Sequence, residues 1–362
     1  MKKQRTPLAL LLLLLAWSGL ALANSGYLYP GFAEIHEEVS LPASNWTWFP
    51  DSALSGSLVD GTARLLGVEE LRRVWRKGVV TFYYNGSGKA RLAYLTRGLG
   101  YGLYYNLDVD SGKLVGWAKV NNRLEKPLRF DELTFVAGEV PLRAGNAPVM
   151  EKSARAYDVM EVAAPAAAPM PEYSGSGGGV FRYVLKDPPV FEPGVTEIPF
   201  LRASSSPVYT WSYNGGFARG SKIRFNRGYT FEAPAALAGG LVNIRDRGVL
   251  LGQTYMDEQA KGSKVQLWLG SDPEGKADRQ ISVLKDERKE KAYRVTTTVS
   301  NPRDTPVRVE ISESFSAKEI VISLPRGAVR TTRGYRLEFT LAPEPTRPLP
   351  TPSPCATDRP VM

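Results

Sequence analysis

The chain contains almost no histidine or cysteine, and this removes most nucleophilic and metal chemistry. Among its 362 residues there is one His, His36, and one Cys, Cys355. A Ser-His-Asp or Cys-His triad would have to use that single His, and no G-x-S-x-G sequence is present. Multi-His zinc sites are excluded, and Cys355 cannot form a disulfide within the chain. We therefore predict no catalytic residue, no metal site and no cofactor, and a fold held together by its core.

Long apolar segments are also missing, apart from one at the N terminus. Three basic residues precede an apolar run over Leu8–Ala16, and Ala21-Leu22-Ala23 is an A-x-A cleavage sequence. This pattern predicts a secretory signal peptide over residues 1–23, since nine residues are too few to cross a bilayer as an anchor. No apolar run of 18 residues follows Asn24, so no transmembrane segment is predicted in the mature chain. The sequence thus predicts a periplasmic or extracellular protein.

Positive charge is modest and is spread along the chain. The formal net charge is +9, and it falls to +6 when the three basic residues of the signal peptide leave, because that segment contains no acids. Nucleic-acid binding needs a basic stripe, which the sequence lacks, so no nucleic-acid partner is predicted. The expected partners are envelope proteins or polysaccharide, with weak attraction to an anionic envelope surface.

Alternating segments between closely spaced turn residues predict a mainly β chain. The expected fold is one of antiparallel β-sandwich or barrel-like units with one short helix. Asn85-Gly86 and Ser111-Gly112 are expected to be hairpin turns. The main predicted strands are Gly31–Ser40, Leu54–Leu66, Val79–Tyr84, Ala90–Thr96, Tyr101–Val109, Leu114–Val120, Glu132–Val136, Val180–Leu185, Gly194–Leu201, Pro207–Tyr213, Leu241–Arg245, Val249–Tyr255, Lys264–Leu269, Arg279–Leu284, Tyr293–Ser300, Val307–Ile311, Ile320–Leu324 and Tyr335–Leu341.

Two local patterns stand apart from this series. Apolar residues in Val68–Lys77 recur at helical spacing, and Gly78 follows them, so the one helix is predicted there. Trp46, Trp48 and Phe49 form an aromatic cluster in a predicted loop. That cluster is interpreted either as a plug that closes one end of a sandwich or as a platform for a sugar or a protein.

A change in composition divides the chain. Residues 144–179 are rich in Ala, Pro, Gly and Ser, and they are predicted to be a linker. It separates an N-terminal β-rich region, 24–143, from a C-terminal β-sandwich domain, 180–342. Residues 343–362 are Pro-rich and are predicted to be a disordered tail.

A few acidic and glycine-rich sequences contain residue types found in functional sites, but none supports a chemical assignment. Asp257-Glu258 could be half of a glycosidase pair, but solvated turn acids are the favoured interpretation. Asp108-x-Asp110 lacks the later ligands of a calcium loop and is interpreted as a hairpin turn. Gly98–Gly102 lacks the context of a dinucleotide loop and is interpreted as a bend. His36 is expected on the polar, exposed face of its strand.

Turn glycines and alternating strands spread over Phe32–Leu341 also suggest a relationship. The sequences that carry it are Leu92-Ala93-Tyr94-Leu95, Tyr101–Leu107, Gly116–Asn122, Gly239–Leu251, Gly262–Leu269 with Arg279, Tyr293-Arg294-Val295 and Asn301-Pro302. In these the chain resembles the bacterial domain-of-unknown-function family typified by mucoidy inhibitor A-like proteins. The resemblance implies a largely β domain and no established catalytic residue. Members often carry a long coiled coil, whereas this chain has no heptad run.

Three hypotheses for function follow from the sequence. The first is an exported, non-enzymatic binding or scaffold module of the cell envelope. The second is a carbohydrate-active hydrolase that uses paired carboxylates and needs no histidine. The third is an adhesion or assembly component that pairs with a partner through open sheet edges.

Overall fold

The structure is a computed structural model that describes residues 22–142, 170–216, 222–287, 291–315 and 324–344. Strands make up 69% of it, which confirms the predicted mainly β class. The first strands are β1 (Leu22–Tyr29), β2 (Phe32–Leu41), β3 (Asn45–Trp48), β4 (Arg64–Leu66), β5 (Glu69–Arg76), β6 (Val79–Asn85), β7 (Gly88–Thr96), β8 (Leu99–Asp108), β9 (Lys113–Asn122), β10 (Arg129–Ala137), β11 (Glu172–Gly177), β12 (Val180–Lys186) and β13 (Gly194–Ser204). They are followed by β14 (Val208–Gly216), β15 (Lys222–Glu232), β16 (Gly240–Asp246), β17 (Val249–Met256), β18 (Lys264–Asp286), β19 (Lys291–Val299), β20 (Val307–Ser314), β21 (Val329–Thr331) and β22 (Gly334–Leu341). One short helix occurs in these ranges, α1 (Ser52–Ser55).

The described residues form two compact units. The first takes the chain up to Ser204 together with Ala233–Leu250 and Tyr255–Gly262. Its sheets have the strand orders β11-β12-β10-β1-β2-β7-β4, β3-β6-β5 and β13-β9-β8-β16-β17. Side chains of all three sheets share one core, which includes Leu28, Phe82 and Leu99, each fully buried. This burial of apolar side chains supplies most of the stability, because no disulfide is available.

The second unit takes Ser205–Glu232, Leu251–Thr254 and the residues from Ser263 onward. Its seven-stranded sheet has the order β19-β18-β15-β14-β20-β22-β21. Neighbouring strands are antiparallel except β14 and β20, which run parallel. Its core is built on Trp211, whose ring stacks on that of Phe225 with 5.7 Å between centroids.

The predicted linker does not separate two sheets. Glu172–Gly177, assigned to the linker from composition, form β11, and β12 pairs with β10 from the other side of the predicted boundary. Gly178 and Gly179 have φ values of 62° and 81°, so these glycines close the tight β11–β12 hairpin. The predicted segments 144–169 and 345–362, with Cys355, lie outside the described residues.

The helix predicted at Val68–Lys77 is wrong. Glu69–Arg76 form β5, which pairs antiparallel with β6, for example Trp75 with Val80. Lys77 and Gly78 have φ values of 52° and 79°, as the central residues of a type I′ hairpin turn do. Pairing with β6 therefore overrides the helical spacing, and the glycine closes a hairpin instead of ending a helix.

Several local predictions also need correction. The tryptophan-rich loop is in fact β3, which pairs with β6. Ser52–Ser55 form α1, and only Arg64–Leu66 of the predicted strand Leu54–Leu66 are extended. Asn85-Gly86 does not make a hairpin, because β6 and β7 belong to different sheets. Val307–Ile311 would be expected to pair back on the strand before it in the sequence, β19, but it belongs to β20, which pairs with β14 and β22.

Of three further expectations, one is confirmed, one is corrected, and one concerns residues that the structure does not describe. Ser111-Gly112 does turn a hairpin, since β8 and β9 pair up to Leu107 and Leu114. Lys264–Leu269 and Arg279–Leu284 were predicted as separate strands, but both belong to β18, whose pairing with β15 is interrupted by irregularities. The strand predicted at Ile320–Leu324 falls almost wholly outside the described residues.

The bend predicted at Gly98–Gly102 is largely the start of β8. Its second glycine, Gly100, lies where a Cβ would be 2.7 Å from the backbone carbonyl carbon of Gly31. Gly102, on the same strand, has no atom within 4 Å of its Cβ position. The close backbone contact therefore requires a glycine at position 100, whereas no such contact occurs at Gly102.

We expect Gly100→Ala to destabilise the first unit by about 1–3 kcal/mol, because the added methyl group overlaps backbone that cannot rotate away. Chemical unfolding followed by fluorescence measures this change. Gly102→Ala is the matched control and should leave the midpoint almost unchanged. Equal effects of the two substitutions would contradict the close approach at Gly100.

Candidate functional site

A groove of about 500 Å³ opens on the seven-stranded sheet of the first unit. Tyr27 and Tyr29 alternate along β1 with Leu28, which points into the core, so both tyrosines lie on the opposite face. Glu34 and His36 lie beside them on β2, where Tyr27 pairs with Glu34. The lining residues are Tyr27, Tyr29, Glu34, His36, Arg64, Val136, Val140, Gly177, Gly178, Val180 and Arg182.

Glu34 is the centre of the polar network in this groove. One of its carboxylate oxygens, Oε1, accepts hydrogen bonds from Nε2 of His36 at 3.0 Å and from the guanidinium of Arg64 at 2.8 Å. The hydrogen bond from His36 is the main cause that lowers the pKa of Glu34, and the bond from Arg64 adds to it against the effect of burial. The carboxylate of Glu34 is therefore negatively charged, and its hydrogen bonds orient the side chains of His36 and Arg64.

Aromatic rings form the other wall of the groove. The ring of Tyr27 meets that of His36 edge to face, with 5.3 Å between centroids. Tyr29 stacks on Phe32 at 4.5 Å. Burial, followed by the charge of Glu34, raises the pKa of Tyr29, while Arg182 and Arg64 oppose this rise. Its hydroxyl group is consequently a protonated hydrogen-bond donor at neutral pH, with both arginines within electrostatic range.

The structure corrects the prediction that His36 is an exposed surface residue. The strand was predicted correctly, as β2, but His36 is only 7% exposed and lies against Tyr27 and Glu34. The signal available in the sequence was the pair Glu34-x-His36, because alternation puts both side chains on one face of a strand. Arg64 and Arg182 could not be found in that way, since they come from β4 and β12.

A second polar cluster lies on the other face of β2. Tyr94 donates a hydrogen bond from its hydroxyl group to Glu37 at 2.7 Å, and the ring of Trp48 packs against that of Tyr94 at an angle of 32°. Burial raises the pKa of Glu37, whereas the hydrogen bond from Lys126 lowers that of Asp51. Two carboxyl groups with opposite shifts resemble an acid and base pair. However, Asp51 already binds Lys126 at 2.8 Å and also caps α1.

The acidic sequences named as candidate sites lie outside the groove. Asp257 and Glu258 are exposed just after β17, and neither lines the groove. Asp108 accepts hydrogen bonds from the backbone N–H groups of Asp110 and Ser111 at 3.1 and 3.0 Å, which makes it part of the hairpin turn. No cluster of three His, Cys, Asp or Glu residues that could hold a metal occurs in the described ranges.

Comparisons with known proteins do not assign the chain to a protein family. No protein-family model matches the chain, and no curated protein sequence matches it. The resemblance to mucoidy inhibitor A-like proteins therefore stays a prediction that rests on the sequences quoted for it. Within the described part of the chain, no helix has the length and apolar character needed to cross a membrane.

Proposed function

We propose that this chain is an exported, non-enzymatic binding or scaffold module of the cell envelope. The groove between Tyr27 and Arg182 is the observation that supports this role. Its volume of about 500 Å³ falls within the range of roughly 300–1,000 Å³ found for ligand sites. It combines apolar walls with a few polar groups fixed by hydrogen bonds, as binding sites do. The signal peptide predicted at residues 1–23 supports the exported location.

The chemistry of the groove favours binding over hydrolysis. A glycosidase needs two carboxyl groups flanking the bond that it cleaves. Glu34 is the single carboxylate among the described lining residues, and it accepts hydrogen bonds from His36 and Arg64. The Glu37 and Asp51 pair lies on the opposite face of β2 and is tied to Tyr94 and Lys126. These contacts support a site that holds a ligand without cleaving it.

Assembly through sheet edges receives less support at two of the edges. Edge strands that recruit a partner are usually long, flat and apolar. β4, at one edge of the seven-stranded sheet, has three residues, and β5, at the edge of the three-stranded sheet, carries several arginines. Short strands and positive charge are common ways of preventing such pairing.

We expect Val180→Trp to weaken retention of envelope material by about tenfold, because the larger ring fills part of the groove without removing a charge. The measurement is binding of the purified chain to separate preparations of envelope polysaccharide, peptidoglycan and envelope proteins. The matched control is Val195→Trp, at an exposed position of β13 outside the groove. Equal retention of envelope material by Val180→Trp and Val195→Trp would contradict a role for the groove in binding.

The same assay can test the hydrolase hypothesis. Wild-type protein incubated with the retained polysaccharide should release no new reducing ends. Release that disappears in Glu37→Gln would instead identify the second polar cluster as catalytic and would overturn the non-enzymatic role.

A further inference from the structure

The floor of the groove cannot bind a peptide by adding a strand. β1 pairs with β10 on one side and with β2 on the other, and β2 pairs with β1 and β7. Their backbone N–H and C=O groups are therefore used within the sheet. Strand addition needs an unpaired edge. A ligand in this groove must be recognised by side chains, through its shape, rings and charge.

The side chains on β1 suit a flat ring that carries hydroxyl groups. Tyr27 and Tyr29 are two residues apart on one face of a strand, which places them about 7 Å apart. Each tyrosine offers an apolar ring face and a polar hydroxyl group. Sugar rings have the complementary character, with C–H groups on one face and hydroxyl groups at the rim. Val136 and Val180 add apolar wall beside them.

The charge of the groove is positive. Arg64 and Arg182 bring two guanidinium groups, whereas Glu34 is the one carboxylate among the described lining residues. These two guanidinium groups exceed the single carboxylate by one positive charge. The side chain of Arg64 is 52% exposed and Arg182 is exposed, so both can reach a ligand from solvent. Planar guanidinium groups match carboxylates in two-point hydrogen bonding.

The wall formed by the β11–β12 hairpin leaves room for a chain of rings. Gly177 and Gly178 line the groove there without side chains, and nothing lies within 4 Å of the position of a Cβ at either residue. A longer ligand could therefore pass this turn while one of its rings lies against the tyrosines.

We propose that the groove binds an acidic glycan, with a sugar ring on Tyr27 and Tyr29 and its carboxylate held by Arg182 and Arg64. This assignment rests on the proposed binding role and gives it a ligand class. Arg182 is the main anion-binding residue, because Arg64 already donates to Glu34. Glu34 positions Arg64 and His36 and does not itself contact the anion.

The test is calorimetric titration of the purified chain with a galacturonic acid tetramer at low salt. We expect saturable binding that is at least about tenfold tighter than binding of the neutral tetramer cellotetraose. Arg182→Gln should weaken it about tenfold, and Tyr27→Leu should weaken it similarly without a change of charge. The matched control is Lys186→Gln, which removes a positive charge from an exposed position of β12 outside the groove and should have no effect.

Several results would overturn the acidic-glycan assignment. Equal affinity for cellotetraose would remove the role of the acid group. Equal competition by inorganic phosphate or by tetraglutamate would show recognition of charge without the sugar. Loss of binding in Lys186→Gln to the same extent as in Arg182→Gln would show a diffuse charge effect.

The binding role and the ligand class can fail separately. If galacturonate does not bind, but Val180→Trp still weakens retention of envelope material relative to Val195→Trp, the groove binds another ligand and only the acidic-glycan assignment falls. If Val180→Trp and Val195→Trp retain envelope material equally, the binding role of the groove falls as well.

Discussion

Replacing Arg279 by Met is expected to destabilise the second unit by about 3–5 kcal/mol. The side chains of Arg279 and Glu313 are 1% and 2% exposed and form an ion pair within the unit. Removal of the arginine leaves the Glu313 carboxylate buried, with the hydroxyl group of Tyr335, at 3.2 Å, as its remaining side-chain donor among the described residues. A buried charge without its counter-ion is far more costly than the loss of an exposed pair.

The double substitution Arg279→Met with Glu313→Leu should recover most of this loss. Nε of Arg279 is buried and has no hydrogen-bond partner in the described ranges, so the native pair does not fully compensate for removing its charges from water. Two apolar side chains avoid that cost and fill a similar volume. We expect the double variant to lie within about 1–2 kcal/mol of the wild type.

Urea unfolding measures the change in the free energy of unfolding. Hydrogen exchange of the backbone amides of β14 and β20 shows whether the change occurs in the second unit. The matched control is Arg336→Met, the same substitution at an exposed position of the same sheet, with an expected change within about 0.5 kcal/mol. A double variant that is as unstable as Arg279→Met would contradict the explanation based on an uncompensated charge. The loss would then come from packing.

Replacing Asp272 by Ala is expected to cost about 3–5 kcal/mol, because four buried or partly buried donors lose one common acceptor. Asp272 is 2% exposed and lies within β18. Its Oδ2 accepts from the hydroxyl group of Tyr209 and from the indole N–H of Trp211. Its Oδ1 accepts from the backbone N–H groups of Glu274 and Gly275, each at 2.7 Å.

This network explains why the turn-forming residues Gly270-Ser271-Asp272-Pro273 do not end a strand. The chain departs locally from its pairing with β15, and the freed backbone N–H groups find their acceptor in the Asp272 side chain. β18 can then continue to Asp286. Buried backbone donors need such partners wherever a sheet ladder is interrupted.

Asp272→Asn separates the charge from the size of the side chain. Its amide keeps one acceptor oxygen but turns an N–H₂ group toward donors, so we expect a loss of about 2–4 kcal/mol at neutral pH. The matched control is Asp278→Asn, at an exposed position on the same strand, which should have little effect. Equal stability of these two variants would contradict the role of the network.

The effect of pH on Asp272 follows from the direction of its pKa shift. Burial by itself raises the pKa, but the donated hydrogen bonds, led by that of Tyr209, outweigh it and hold the pKa below its ordinary value. The stabilisation is therefore complete above the unfolded-state pKa of about 3.9 and is lost as the pH falls through the lower folded-state value. The stability difference between wild type and Asp272→Asn should shrink below about pH 4.

Much of the β structure could be predicted because it depends on local alternation. Tyr105 and Leu107 on β8 alternate with polar or half-exposed positions, and both are fully buried. Asp246-Arg247-Gly248 lies between two of the predicted strands and forms the turn between β16 and β17, where Arg247 and Gly248 have φ values of 48° and 83°. Side chains two residues apart share a face in any strand, so alternation is visible without knowledge of the partners.

The failures come from interactions between distant segments. Val68–Lys77 have helical spacing, yet the neighbouring strand β6 offers backbone partners that make β5 extended. Residues 172–177 have the composition of a linker, but β12 pairs with them. Propensity is worth a fraction of a kcal/mol per residue, and a complete ladder of hydrogen bonds with core packing outweighs it.

The amino-acid sequence by itself determined the mainly β class, most strand positions and the face on which Glu34 and His36 lie together. Only the tertiary structure decided that Arg64 and Arg182 reach the same groove and that Arg279 meets Glu313 inside the second unit. The physical reason is that alternation is a property of neighbouring residues, whereas the order of strands in a sheet depends on pairing across long loops. That order decides which side chains of different strands can meet.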